Sequence, residues 1–209
     1  MSFRAGAQDS LESIRAGLAR FGRDRRGIAA IEFAFIAPIL LAMYFLTMEV
    51  SQAIETNKKL SRVGSMVADL VTQQGSVTKD DLDAIMKIGD STLLPYHRSN
   101  PTIIITGINI SGSTPPKATV AWSRKVDNAT YKVGASANSA TTVPSSLLIA
   151  NSFLVRVESN LTYKPVITWA ADGKKVLGLT AAFDSLSMGE TYYLRPRMTT
   201  TITCSDCYN

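Results

Sequence analysis

Between Gly27 and Glu49 the chain is apolar almost without interruption, and from Ile28 to Leu46 nineteen residues pass with no lysine, arginine or aspartate. As a helix rising about 1.5 Å per residue they cover roughly 28 Å, close to the hydrocarbon thickness of a bilayer. The pattern predicts one transmembrane helix. A buried core helix fits less well, because the run is long and has arginines at its N-terminal flank. A secretory signal peptide would have a shorter apolar region ending at a small-residue cleavage site, and none is evident. Pro38 falls inside the span, where neighbouring helices absorb a kink.

Past Glu49 the pattern changes from apolar all round to apolar on one face. Val50, Ile54, Leu60, Val63, Val67, Leu70 and Val71 recur at spacings near three and four among Gln52, Glu55, Lys58, Lys59 and Arg62, which predicts that the same helix continues to about Gln73 and stops at Gly75. Over residues 54 to 71 the stripe is expected to pack against the domain's own sheet. A second helix is predicted next, with Thr78 as N-cap, Asp80 and Asp81 in its first turn, and Leu82, Ile85, Met86 and Ile88 on one face.

From Pro101 onward the period shortens. The segments "TIIITGINIS", "KATVAWSRKV", "NSFLVRVESNLTYKP" and "TYYLRPRMTTTITC" are rich in β-branched and aromatic residues with partial alternation, and read as strands. "SGSTPP" is short enough for a hairpin, whereas polar residues 127–146 read as a mobile excursion. The insertion around "DGKK" promises a turn and little regular structure. The predicted class is α+β: a long N-terminal helix, a second short helix and a small, mostly antiparallel sheet of about four strands.

Charge fixes the expected topology. The net charge is +5, of which residues 1–27 contribute +3 through six arginines against three acids. Arg20, Arg23, Arg25 and Arg26 stand just before the apolar span and the first lysine after it is Lys58, so the N-terminus is expected in the cytoplasm and the C-terminal part across the membrane. The expected division is a basic leader over 1–27, a transmembrane helix over 28–49 and a head domain over 50–209. Within the leader, Leu11, Ile14, Leu18 and Phe21 share one helical face, suited either to lying on the inner leaflet or to fraying in water. A basic excess beside an apolar span, not interleaved with aromatics on a folded face, points to membrane lipid and not to nucleic acid.

One residue in the span needs a reason. An ionisable side chain in the apolar region costs a few kcal/mol unless it is paired or near the headgroups, yet Glu32 stands one turn in. Snorkelling to the cytoplasmic headgroups is one solution. Counting from the residue after Gly27, Glu32 is the fifth. A basic leader ending in glycine, an apolar residue next, glutamate at five and an unbroken apolar helix resemble the processing signature of type IV prepilins. "GIAAIEFAFIAPILLAMYFLTMEV" is similar, more specifically, to the TadE/TadF-like pseudopilins of tight-adherence (Flp-type) pilus assembly systems. The resemblance is strong over about residues 22–75 and faint beyond, where "TYYLRPRMTTTITC" and "FLVRVESNLTYKP" look like the family's C-terminal strands.

The resemblance implies cleavage between Gly27 and Ile28 by a prepilin peptidase, an aspartyl protease of the bacterial inner membrane. It also implies other pilin-like subunits and Tad pilus assembly proteins as partners, a single-pass inner-membrane location, and a periplasmic head. Cleavage would create an ammonium at Ile28, four residues from Glu32, able to neutralise it in the same chain or in a neighbour and so set the register between subunits.

Enzyme chemistry has little footing. His97, the single histidine, lies in a proline-flanked loop, and no GxSxG, HExxH or GxxxxGK[ST] occurs. "DDLD" at 80–83 has a structural reason at a helix start. Cys204 and Cys207 are the only cysteines; zinc would need two more ligands, and a thioredoxin-like motif would open a helix. With the head on the oxidising side, a local disulfide at the end of the last strand is expected, against two spare thiols. No cofactor or metal is expected. Besides the pseudopilin, an uncleaved membrane scaffold and a tethered enzyme stand as alternatives; cleavage and dependence on Glu32 separate the first two.

Overall fold

A single helix, α1 (Ile28–Thr72), carries the chain through its first two patterns. The computed structural model describes residues 27–94, 96, 98–165 and 185–208. The leader with its arginines, His97 and most of the insertion around "DGKK" lie outside the described residues. The chain divides into two units, Met1–Met48 and Glu49–Asn209. In the first, α1 passes through Pro38 with its large apolar side chains, from Ile28 to Leu46, exposed. It is long and apolar enough to cross a membrane once.

In the second unit the chain runs β1 (Ser76–Val77), α2 (Lys79–Thr92), β2 (Thr102–Ile110), β3 (Ala118–Asp127), β4 (Thr130–Val133), β5 (Ser152–Tyr163), β6 (Leu186–Leu194) and β7 (Thr203–Cys204). Five strands form an antiparallel sheet ordered β4-β3-β2-β5-β6, and β1 pairs in parallel with β7. The α+β class, the two helices and the antiparallel sheet are as the sequence predicts.

The C-terminal half of α1 supplies much of the core. Leu60, Val63, Val67, Ala68 and Val71 are fully buried, each of the larger ones contributing about 1.5–3 kcal/mol by leaving water. Gly64 lets the helix come close to the sheet: a Cβ there would sit 2.9 Å from Ser159 Oγ and from the Tyr192 ring. The packed face is shorter than the apolar pattern suggests, since Val50 and Ile54 are exposed. The helix ends at Thr72, whose carbonyl accepts the Arg197 amide at 2.9 Å; Gly75 lies three residues beyond and does not make the stop.

The second helix starts as its sequence dictates. Thr78 Oγ1 accepts the Asp81 amide at 3.2 Å and the Asp81 carboxylate accepts the Thr78 amide at 3.0 Å, a reciprocal capping box with aspartate in place of glutamate. The Thr78 hydroxyl, which donates to the Asp81 carboxylate at 2.7 Å, and then the Thr78 amide hold that carboxyl below the usual range. Leu82 and Met86 are buried, but Ile88 is exposed; the inward face continues instead through Gly89, where a Cβ would meet Val63. From the same helix Asp83 accepts two bonds from Arg124 of β3, at 2.8 and 2.6 Å. That pairing raises the guanidinium pKa above its ordinary value against the opposing effect of burial.

The sheet differs from the sequence expectation in three places, each with a local cause. In β3 the register slips beside Gly107, so that Ile110, Ile108 and Gly107 pair with Ala118, Val120 and Trp122. The extra residue, Ala121, is a bulge, and it lets Trp122 turn to the helix side although Ala118 shares its parity. Residues 127–146, read as a mobile excursion, contribute β4 as a fifth strand, entered through Asn128 and Ala129 at positive φ. Val143, Leu147 and Leu148 then cover a second cluster of Ile108, Ile110, Ala118 and Leu154. The last predicted strand is two: β6 starts earlier, at Leu186, and ends before Arg195 and Pro196, and residues 203–204 pair elsewhere as β7.

The Arg124–Asp83 bridge ties α2 to the sheet through an arginine that is 8% exposed. Arg124→Ala is expected to lower the unfolding free energy by about 2 kcal/mol, less than for a fully buried pair because Asp83 keeps some water. Denaturant unfolding of the full chain in detergent checks this, and an unchanged midpoint would remove the bridge from the account of stability.

Candidate functional site

The residues singled out by the sequence occupy both ends of the described chain. Gly27 is exposed and immediately precedes α1, and a Cβ built on it meets nothing within 4 Å among the described residues. Ile28 opens α1, and Glu32 follows at i+4, so the two share one face about one turn, or 6 Å, apart. Glu32 is exposed and makes no ion pair or hydrogen bond among the described residues. The site is therefore linear: a backbone bond with open surroundings, an exposed apolar residue after it, and a carboxylate one turn on. Arg20, Arg23, Arg25 and Arg26 lie outside the described residues.

At its other end the apolar segment gives way to Tyr44, Thr47 and Glu49. Thr47 Oγ1 donates to the Tyr44 carbonyl at 2.8 Å, which hides its hydroxyl inside the helix's own hydrogen bonding. Tyr44 is exposed, and tyrosine is a residue type that settles at a membrane–water interface.

In the second unit Glu49 accepts a hydrogen bond from Tyr163 of β5 at 2.5 Å. The Tyr163 ring, 2% exposed, stacks on Tyr96 with centroids 5.2 Å apart. Tyr96 in turn lies under the Arg98 guanidinium at 5.4 Å and accepts the Lys164 amide at 2.7 Å. Arg98 closes the group by donating to the Lys164 carbonyl at 2.9 Å. This chain of contacts fastens the start of the unit's helix to the end of its longest strand. Sequence reasoning missed it; the available signal was a carboxylate placed at the end of an apolar run.

Beside this cluster lies a groove of about 270 Å³ lined by Gln52, Glu55, Thr56, Lys59, Leu93 and Tyr96 with Arg98. Its charges are taken up locally, Glu55 by Lys59 at 3.1 Å and Lys59 also by the Leu94 carbonyl at 2.9 Å.

Cys204 and Cys207 form a disulfide, Cα to Cα 5.7 Å, with both residues buried. Asp206 gathers near Cys204 and Cys207, but the sulfurs are bonded to each other and the Asp206 carboxylate accepts the Lys79 amide at the start of α2, at 2.8 Å. Just before the disulfide loop the Ile202 carbonyl accepts Trp122 Nε1 at 2.7 Å. The C-terminal loop thus clamps α2 to the middle of the sheet. Of the "DDLD" carboxylates, Asp81 and Asp83 have the structural partners already given.

Burial, and then the bond to Glu49, push the Tyr163 phenol up to about 12. An unfolded tyrosine loses its proton near 10, so between those values the folded chain holds a proton that the unfolded chain has lost. The stability this group contributes is complete below about pH 10 and is lost as the pH rises toward 12. Tyr163→Phe is expected to flatten the fall in stability across that window relative to the parent, measured as denaturant midpoint against pH; parallel curves for the two proteins would refute the coupling.

No curated protein and no solved structure matches the chain. One family model does: TadE-like protein, over residues 27–69. The match opens on Gly27 and closes within the buried stripe of α1, so the segment that holds Gly27, Ile28 and Glu32 is TadE-like.

Proposed function

We propose that this chain is a pseudopilin, a minor pilin-like subunit needed for assembly of a Flp-type (Tad) pilus. A prepilin peptidase cuts between Gly27 and Ile28. The apolar part of α1 holds the mature protein in the bacterial inner membrane, with the leader on the cytoplasmic side and the α+β unit in the periplasm. Its partners are the peptidase, other pilin-like subunits, Tad assembly proteins and membrane lipid. The reading assigns it no catalytic chemistry and no cofactor.

The observation that carries this reading is the TadE-like match beginning at the glycine after which α1 starts, its first part exposed and apolar but for a single carboxylate at the fifth position. Glu32 has no hydrogen-bonding or ionic partner among the described residues, so an ammonium at Ile28, in the same chain or in a neighbour, is a fitting counter-charge. At about one helical turn the two groups are within reach.

Intact-mass measurement with N-terminal sequencing, on protein from membranes containing the cognate peptidase, is expected to give a chain starting at Ile28. The start should revert to the uncut leader when the peptidase is inactive. Gly27→Leu should also block processing; because a Cβ at this position meets nothing within 4 Å among the described residues, the block would arise in the peptidase subsite. A chain that keeps Met1 in mature membranes would favour an uncleaved scaffold instead. Glu32→Leu should leave cleavage intact, since the residue lies beyond the cut bond, yet reduce co-purification with other pilus components and abolish piliation. Normal piliation in that variant would remove the register role.

A further inference from the structure

The two edges of the five-stranded sheet are unlike. At one edge β4 is four residues long, and its Lys132 reaches Asp127 at 3.5 Å while Lys125 reaches the same carboxylate at 3.2 Å. A short edge with paired charges is poorly suited to adding a strand. The other edge, β6, is nine residues long and hydrogen-bonded only to β5 among the described residues. Its sequence, "LSMGETYYL", contains no proline and no lysine, and its pairing with β5 is unbroken from Leu186 to Leu194.

Both faces are incompletely covered along this edge. Tyr192 and Leu194 are half-buried on the helix side, where Tyr192 meets Ser61 at 2.5 Å, and Tyr193 is half-buried against the second cluster. An added strand would cover all three. Glu190, on the same face as Met188 and Tyr192, is the strand's one charge; it is half-buried and makes no ion pair or hydrogen bond among the described residues. It also occupies the midpoint of β6. If two copies paired through this edge over its full length, antiparallel, Glu190 would stand opposite Glu190, a like-charge pair that opposes association.

We propose that the β6 edge binds an extended strand of a different protein, one carrying a lysine or arginine where it faces Glu190. Main-chain hydrogen bonds along β6 supply the affinity and the charge pair selects the partner and fixes the register. The inference stands on the sheet and is independent of processing at Gly27.

The test uses the full-length protein in detergent and two nine-residue probe peptides of alternating threonine and valine, one with lysine and one with glutamate at the central position. The lysine peptide is expected to slow amide exchange within residues 186–194 and not in β4, and to bind about tenfold more tightly than the glutamate peptide, the size of a reversed cross-strand charge contact. Glu190→Lys should invert that preference, and Glu190→Gln, the milder change, should level it. Absence of protection in β6, equal binding of both peptides by the parent protein, or a preference unmoved by Glu190→Gln would overturn the proposal. So would a dimer of the parent protein whose amide exchange is slowed within residues 186–194 without peptide, which would make a second copy the occupant.

Discussion

Everything in this chain follows from where the apolar surface of α1 can go. Over Ile28–Leu46 the helix is apolar on every side and its large side chains are exposed, which for a soluble surface would be intolerable and for a lipid-facing one is required. From Leu60 to Val71 the apolar positions fall back to a stripe, and that stripe is buried against the sheet. One helix therefore meets two kinds of surroundings, and the change of pattern from continuous to periodic marks the change of environment. The sheet has its own obligation to this arrangement: Gly64 on the helix removes the side chain that Ser159 and Tyr192 would otherwise strike.

The rest of the head is organised around that contact. The second helix is held on the same face of the sheet by Arg124 and Asp83, and the C-terminal loop crosses to it through Trp122, β7 and Asp206. The disulfide gives the loop a fixed shape where its two strand residues have little pairing to hold them. The polar residues after Asp127 close the opposite face of the sheet with three apolar side chains, enough to dry a small cluster though too few to show as a periodic pattern.

Local rules read well from the sequence and non-local ones did not. The start of α1, the capping box at Thr78 and the cores of β2, β3 and β5 depend on neighbours within a few residues, so spacing and residue type reveal them; the end of α1, where the Thr72 carbonyl meets the Arg197 amide, does not. The bulge at Ala121 exists to aim Trp122 inward at a carbonyl eighty residues away, and nothing near it announces that need. Likewise β7 pairs with β1 across most of the chain, and "TYYLRPRMTTTITC" looks continuous because the break at Arg195 and Pro196 is followed by more threonine and isoleucine. At the candidate site, Gly27, Ile28 and Glu32 were legible because their chemistry is local to one helical turn. The tie between Glu49 and Tyr163 was not, because its partners are 114 residues apart.

Glu32 and Glu49 make an instructive pair. They stand seventeen residues apart in sequence, near the two limits of the apolar segment. Each is a carboxylate that low-dielectric surroundings penalise, and each needs a donor or a counter-charge. Glu49 obtains a donor from its own unit, in the phenol of a buried tyrosine. Glu32 has no comparable donor among the described residues, and the helix around it presents only apolar side chains. The same physical requirement is thus met inside the chain at one end and left open at the other. In the pseudopilin proposed here, the amine freed at Ile28, one turn away or on an adjacent helix, has the sign and the reach to meet it.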